Sequence, residues 1–211
     1  MPTPTETPTE TPTVTPTIAP TAIPKPPETV IDGDIFVAPN ASETGEGTFD
    51  DPMELTVALS KVQAGNTIWM LPGSYQYNQP IIIEKWNSGS AGAYKSVRNY
   101  MSGKVVLDFS EQEYLTSNRG LVQDADYWIW YGIDFKGAGD NGMLLSGNHN
   151  IIEMCQFYAN RDTGLQLSRF DTTAATIDLW PSYNIIKNCT SFNNSDATGE
   201  NADGFAAKLT C

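Results

Sequence analysis

Basic side chains are scarce in this chain, and cysteine and histidine are scarcer still. Twelve Lys and Arg stand against 25 Asp and Glu, a net charge of −13, which argues against a nucleic acid or an anionic membrane as partner. An anionic polysaccharide stays open if a metal ion bridges the like charges. The three cysteines show no CxxC or CxH spacing, so neither a disulfide framework nor a zinc site is suggested. No apolar run approaches the roughly 18 residues of a membrane span. What is present suffices for a core. The 211 residues are 40% hydrophobic, with five Trp, nine Tyr and eight Phe, enough for one folded unit and a tail.

The tail comes first. Residues 2–27 are a Thr/Pro tract in which TPTE recurs without apolar periodicity. Proline at every second or third position removes donors and holds φ, giving an extended, semi-rigid spacer. The other reading is a disordered tail without function. We take residues 1–30 as a linker and 31–211 as the folded domain. The opening MPTPTETPTE lacks the basic and apolar regions of a secretion signal. The tract nonetheless resembles the linkers of bacterial extracellular polysaccharide-degrading enzymes, which implies a secreted protein with further modules, and a Met1 that is an artefact of a fragment.

The folded part opens with a short strand at Asp34 to Val37 and a Gly-rich loop at Glu43 to Thr48. Asp51 as N-cap, Pro52 in the first turn and Glu54 predict a short helix with Leu55, Ala58, Leu59 and Val62 on one face, closed by Gly65. Short β runs follow at Thr67 to Leu71, Ile81 to Glu84 and Val105 to Phe109, separated by turn residues such as Pro72-Gly73. One helix ahead of many short strands predicts an all-β fold, a right-handed parallel β-helix with an N-terminal capping helix. The segments VAPN, GT and AGNTIWMLPGSY resemble the opening shared by many such proteins.

From Trp128 the repeat is explicit. Ile151 to Cys155 recurs as Ile185 to Cys189, each preceded by an asparagine, Asn150 and Asn184. Trp128 to Ile133 falls under Asn150 to Cys155 at a spacing of 22, as does Gly142 to Leu145 under Gly164 to Leu167. A period near 22 with alternating apolar residues marks a β-solenoid. Asn160 and Asn194 take equivalent turn positions, suited to amide bonds from coil to coil. Cys155 and Cys189 stack as small core residues rather than as a redox pair. The next coil breaks the period with insertions at Arg169 to Tyr183 and Ser195 to Asp203, and insertions in a solenoid go to loops, commonly on the binding face.

Both insertions flank the stretch NADGFAAKL. Asp203 stacks on Thr163 and Asn141 in a polar column, where a carboxylate suits a hard cation such as Ca²⁺. It also suits an Asx-type turn ahead of Gly204. Glu200, Asn201 and Asp196 are further oxygen donors without a recognised loop spacing. Alternation that turns Phe205, Ala207 and Leu209 inward turns Ala206 and Lys208 outward, toward Asp203. Lys208 is then either a substrate contact or a solvated surface lysine. His149, in an Asn148-His149-Asn150 turn, reads as structural. Trp180 and Tyr183 are candidates for stacking on sugar rings.

The runs WPSYNIIKNCTSFNN, GENADGFAAKLTC and NRDTGLQLS resemble family 9 of the polysaccharide lyases, the pectate lyases on a right-handed parallel β-helix, over most of the chain after Asp34. The resemblance implies a calcium-dependent lyase acting on polygalacturonate by β-elimination, monomeric and extracellular. It implies Asp203 as the first calcium-binding residue, with the remaining ligands and the catalytic lysine on later coils. Lys208 does not match that lysine and stays a substrate contact. No catalytic residue is therefore expected within this chain, which reads as the N-terminal part of the enzyme and as inactive alone. A non-catalytic glycan-binding or stalk β-helix, or a lyase or epimerase for another uronate polymer, are the alternatives.

Overall fold

In the computed structural model, which describes residues 30–173, 176–197 and 202–208, sixteen strands and one α-helix follow the chain. The expected linker lies almost wholly outside the described residues, as do Glu200, Asn201, Leu209 and Cys211. Strand β1 (Ile35–Ser42) and helix α1 (Leu55–Lys61) precede five coils. The coils comprise β2 (Thr67–Met70), β3 (Gly73–Gln76) and β4 (Ile81–Ile83), then β5 (Lys95–Asn99), β6 (Val105–Asp108) and β7 (Leu121–Gln123), then β8 (Trp128–Tyr131), β9 (Ile133–Lys136) and β10 (Met143–Leu145). The last two are β11 (Ile151–Glu153), β12 (Gln156–Tyr158) and β13 (Leu165–Leu167), and β14 (Ile185–Lys187), β15 (Thr190–Phe192) and β16 (Phe205–Ala207).

Each coil lays one strand in each of three parallel sheets. The sheets run β1-β2-β5-β8-β11-β14, β3-β6-β9-β12-β15 and β4-β7-β10-β13-β16. The predicted registers hold: Ile129, Ile151 and Ile185 are successive partners, as are Met143 and Leu165. Six strands were not legible: β3, β5, β7, β9, β12 and β15. All are three to five residues long, and β3 and β5 carry a single apolar core residue each, Tyr75 and Val97. In a solenoid the neighbouring coil buries that residue, so a strand needs little alternation of its own.

The core is a set of columns running through the coils. Trp128 and Trp130 are fully buried, and Phe135 stacks on Phe157 with ring centroids 5.0 Å apart. Two asparagine ladders hold the turns. Asn150 Oδ1 accepts from the Trp128 amide (2.9 Å) and Asn184 Oδ1 from the Asn150 amide (2.8 Å). Asn160 Oδ1 accepts from the Ala138 amide (3.0 Å), and Asn194 Oδ1 from both the amide and the side chain of Asn160. Cys155 is buried above Ile133, and Cys189 lies half-buried next to it in the following coil. Both cysteines are free thiols.

Coil corners are turned by single residues with left-handed backbone, among them Tyr127, His149 and Tyr183 at φ of 59°, 56° and 58°. Each such residue costs about 1–3 kcal/mol, and at this corner the three side chains stack ring on ring. His149 lies face to face between Tyr127 (4.7 Å) and Tyr183 (4.8 Å). The histidine is packed between the two tyrosine rings, and Tyr183 gives one ring face to it.

Helix α1 begins later than its sequence predicts. Glu54, not Asp51, is the N-cap, its carboxylate accepting from the amides of Thr56 (2.6 Å) and Val57 (3.1 Å). The Asp51 side chain is engaged in the preceding loop, where it accepts from the Glu46 amide at 3.0 Å. The apolar face is as predicted: Leu55, Ala58, Leu59 and Val62 join the same core as the first coil. The helix thereby closes the N-terminal end of the apolar column.

Candidate functional site

A row of glycines precedes the strands of the third sheet, and it explains why Asp203 stands where it does. The amides of Gly120, Gly142 and Gly164 donate to the carbonyls of Asn141, Thr163 and Asp203 in the next coil, at 2.9 to 3.0 Å. A Cβ on Gly142 would lie 2.7 Å from the Gly164 carbonyl oxygen, and one on Gly164 2.7 Å from that of Gly204. Only glycine lets the coils approach this closely. The residues ahead of these glycines therefore stack as one column, Arg119, Asn141, Thr163 and Asp203. The predicted column is present, and it extends one coil lower to a cation.

Asp203 sits at the head of β16 and Lys208 just past its foot, and their side chains form an ion pair at 3.5 Å. Asp203 is 55% exposed and Lys208 27%. The inward and outward assignment holds as well: Phe205 meets the ring of Phe157 edge-on at 6.1 Å, whereas Lys208 lines an outer cleft with Gln166. That cleft has a volume of about 330 Å³, and its other walls include Arg119, Asp140, Asn141 and Asp162.

The electrostatics of the cleft centre on Asp140. Its carboxylate is nearly buried beside Arg119, with Nε at 3.3 Å from Oδ2, and it accepts from Asn141 Nδ2 at 3.2 Å. Burial raises its pKa to about 6, with Asp162, one coil on, adding to the rise and Arg119 opposing it. Perturbed carboxylates in clefts are candidates for function. Arg119, Asp140 and Asp162 were not among the residues singled out from the sequence. The signal was there in the spacing: 22 residues separate Arg119 from Asn141 and Asp140 from Asp162.

The remaining oxygen donors divide. Asp196 lines a different small cleft with Tyr114 and Arg161, and the neighbouring Ala197 amide donates to the Tyr114 hydroxyl at 3.0 Å. Glu200 and Asn201 lie outside the described residues. Asp203 is accessible and only loosely paired, so its carboxylate suits a cation. A Ca²⁺ ion nevertheless takes 6 to 8 oxygens, and among the described residues no group of three or more His, Cys, Asp or Glu is placed to hold a metal. Among the described residues Asp203 offers one candidate oxygen ligand, and no complete calcium site is present.

A family model described as Pel9A-like, right-handed β-helix region matches residues 35–211. The chain belongs to that family. Among similar Pel9A-like proteins, a pectate lyase L of Paenibacillus polymyxa is 44% identical over 183 residues, spanning 86% of this chain and 40% of that protein. A pectate lyase L of Thermoclostridium stercorarium is 41% identical over 181 residues, 85% of this chain and 14% of that protein. The crystal structure of pectate lyase Pel9A superposes with a TM-score of 0.72 at 32% identity, covering 81% of this chain and 42% of that one. The chain thus spans less than half the length of these relatives, and what it shares with them is the right-handed β-helix from its first strand onward.

Proposed function

We propose that this chain is part of a secreted, calcium-dependent pectate lyase that cleaves polygalacturonate by β-elimination. The observation that carries the reading is Asp203, an accessible carboxylate on the outer edge of the third sheet, beside a cleft lined by Lys208, in a chain whose relatives are pectate lyases. Asp203 contributes one oxygen ligand to a calcium shell that other residues complete. The bound ion supplies charge neutralisation at the uronate carboxylate, which makes the neighbouring C5 proton more acidic. Lys208 orients the acidic polymer by donating to a carboxylate, and Gln166 presents an amide to the same cleft. The acidic chain, at −13, repels an anionic polymer over most of its surface, so the cations of this cleft and the bound ion decide where the polymer settles.

The test uses the gene product extended to the length of its relatives. Release of 4,5-unsaturated uronides from polygalacturonate is expected to require calcium and to fall at least a hundredfold in Asp203→Asn. Calcium-independent release, or full activity in that variant, refutes the reading.

A further inference from the structure

Both cations of the Lys208 cleft already have an anion: Arg119 faces Asp140 at 3.3 Å and Lys208 faces Asp203 at 3.5 Å. The carboxylate left over is Asp162. Its Oδ1 accepts from the Thr163 hydroxyl at 3.2 Å, and its carboxyl group lies within hydrogen-bond reach of Asp140, one coil earlier. Two carboxylates in contact repel unless a proton or a cation sits between them.

A separate observation selects the cation. Asn141 is 2% exposed, and its Oδ1 is one of three buried side-chain atoms that lack a hydrogen-bond partner among the described residues. Such atoms are rare and call for an explanation. The amide is held in this orientation because Nδ2 donates to Asp140 Oδ2 at 3.2 Å, and turning it over would set Oδ1 against a carboxylate. The unpaired atom is thus an oxygen, on a residue lining the same cleft as Asp140 and Asp162. An amide oxygen and two ionised carboxylates are all acceptors. One positive ion satisfies the three together.

We propose that Asp140, Asp162 and Asn141 Oδ1 form a binding site for a calcium-sized divalent cation, separate from Asp203. Ca²⁺ takes six to eight oxygens in flexible geometry, whereas Mg²⁺ demands a near-ideal octahedron. Three protein groups from two coils, in a cleft of about 330 Å³ with room for water ligands, suit the first. Arg119 offsets part of the negative charge, so the affinity is modest. Asn141 and Asp203 lie two coils apart in their column, about 10 Å, and the ion is held without Asp203. It ties the residues ahead of β10 to those ahead of β13, where two acids otherwise repel.

The experiment is calorimetric titration of the chelator-stripped 211-residue chain with calcium chloride. Saturable binding is expected, with a Kd on the order of 10⁻⁴ to 10⁻³ M, the range of extracellular calcium modules, and with a melting temperature that rises with calcium concentration. Asp162→Asn should weaken binding at least fivefold and Asn141→Asp tighten it at least threefold, while Asp203→Asn leaves it within twofold. Magnesium chloride should bind at least fivefold more weakly. No saturable binding up to about 10 mM calcium, an unchanged Kd in Asp162→Asn, or binding lost in Asp203→Asn overturns the proposal. Misfolding cannot imitate the gain expected of Asn141→Asp, and near-ultraviolet circular dichroism identifies a variant that has not folded, in which case the half-buried Asp162→Asn decides. The titration involves no polymer and does not need Asp203, so its failure is distinct from failure of the lyase assay.

Discussion

Asp203 and Lys208 face each other at 3.5 Å across the two ends of a three-residue strand. The pair is partly exposed, so its geometry defines a place for a ligand more than it stabilises the fold. Exposed ion pairs contribute about 0–1 kcal/mol. Lys208→Met should therefore change the unfolding free energy from urea denaturation by less than about 1 kcal/mol, while weakening the binding of trigalacturonate measured by calorimetric titration. A large loss of stability would mean that Lys208 is structural.

Asp140 links the cleft to pH. Its folded-state pKa, about 6, lies above the ordinary 3.8, so the folded protein binds a proton more tightly than the unfolded chain. Between these values stability rises as pH falls, and above about 6 the full cost of the buried charge is present. Asp140→Asn should flatten this part of the profile. The difference in melting temperature between the parent and this variant, followed from pH 7 to pH 4, is the measurement. A pH-independent difference would show that folding leaves the Asp140 pKa unchanged.

The asparagine ladder is predicted to be structural. Asn160 is 1% exposed, accepts from the Ala138 amide and donates to Asn194. Asn160→Ala leaves buried partners unmatched, at about 1–3 kcal/mol for each. We expect a loss of about 2–4 kcal/mol in denaturant unfolding with an unchanged slope.

The glycine row separates two positions that look alike in sequence. A Cβ at Gly142 meets Asn160 Nδ2 at 2.5 Å and the Gly164 carbonyl at 2.7 Å, whereas the nearest atom to one at Gly204 is Ser191 Cβ at 3.4 Å. In the 211-residue chain Gly142→Ala should destabilise by about 1–3 kcal/mol, and Gly204→Ala by much less. Thermal unfolding of the two variants compares them directly. Equal effects would mean that backbone freedom, and not coil spacing, demands glycine here.

The repeat was legible because an in-register parallel stack turns sequence spacing directly into spatial neighbourhood. Ile151 over Ile129, Asn194 over Asn160 and Asp203 over Thr163 all follow from counting. The start of α1 was not legible, since Asp51 and Glu54 both carry capping chemistry and only the loop hydrogen bond to Glu46 commits the first elsewhere. Polar strands such as Lys95–Asn99 were hidden for the reason that coils bury each other.

By itself the sequence determined the solenoid, its columns and the position of Asp203 at the end of one of them, because period and alternation are local properties of the chain. The tertiary structure alone decided which side chains meet outside the coils. Arg119, Asp140, Asp162 and Lys208 converge on one cleft, where Arg119 pairs with Asp140 and Lys208 with Asp203. That outcome depends on how side chains lean across adjacent columns and on how much solvent reaches them, and no spacing along the chain records either.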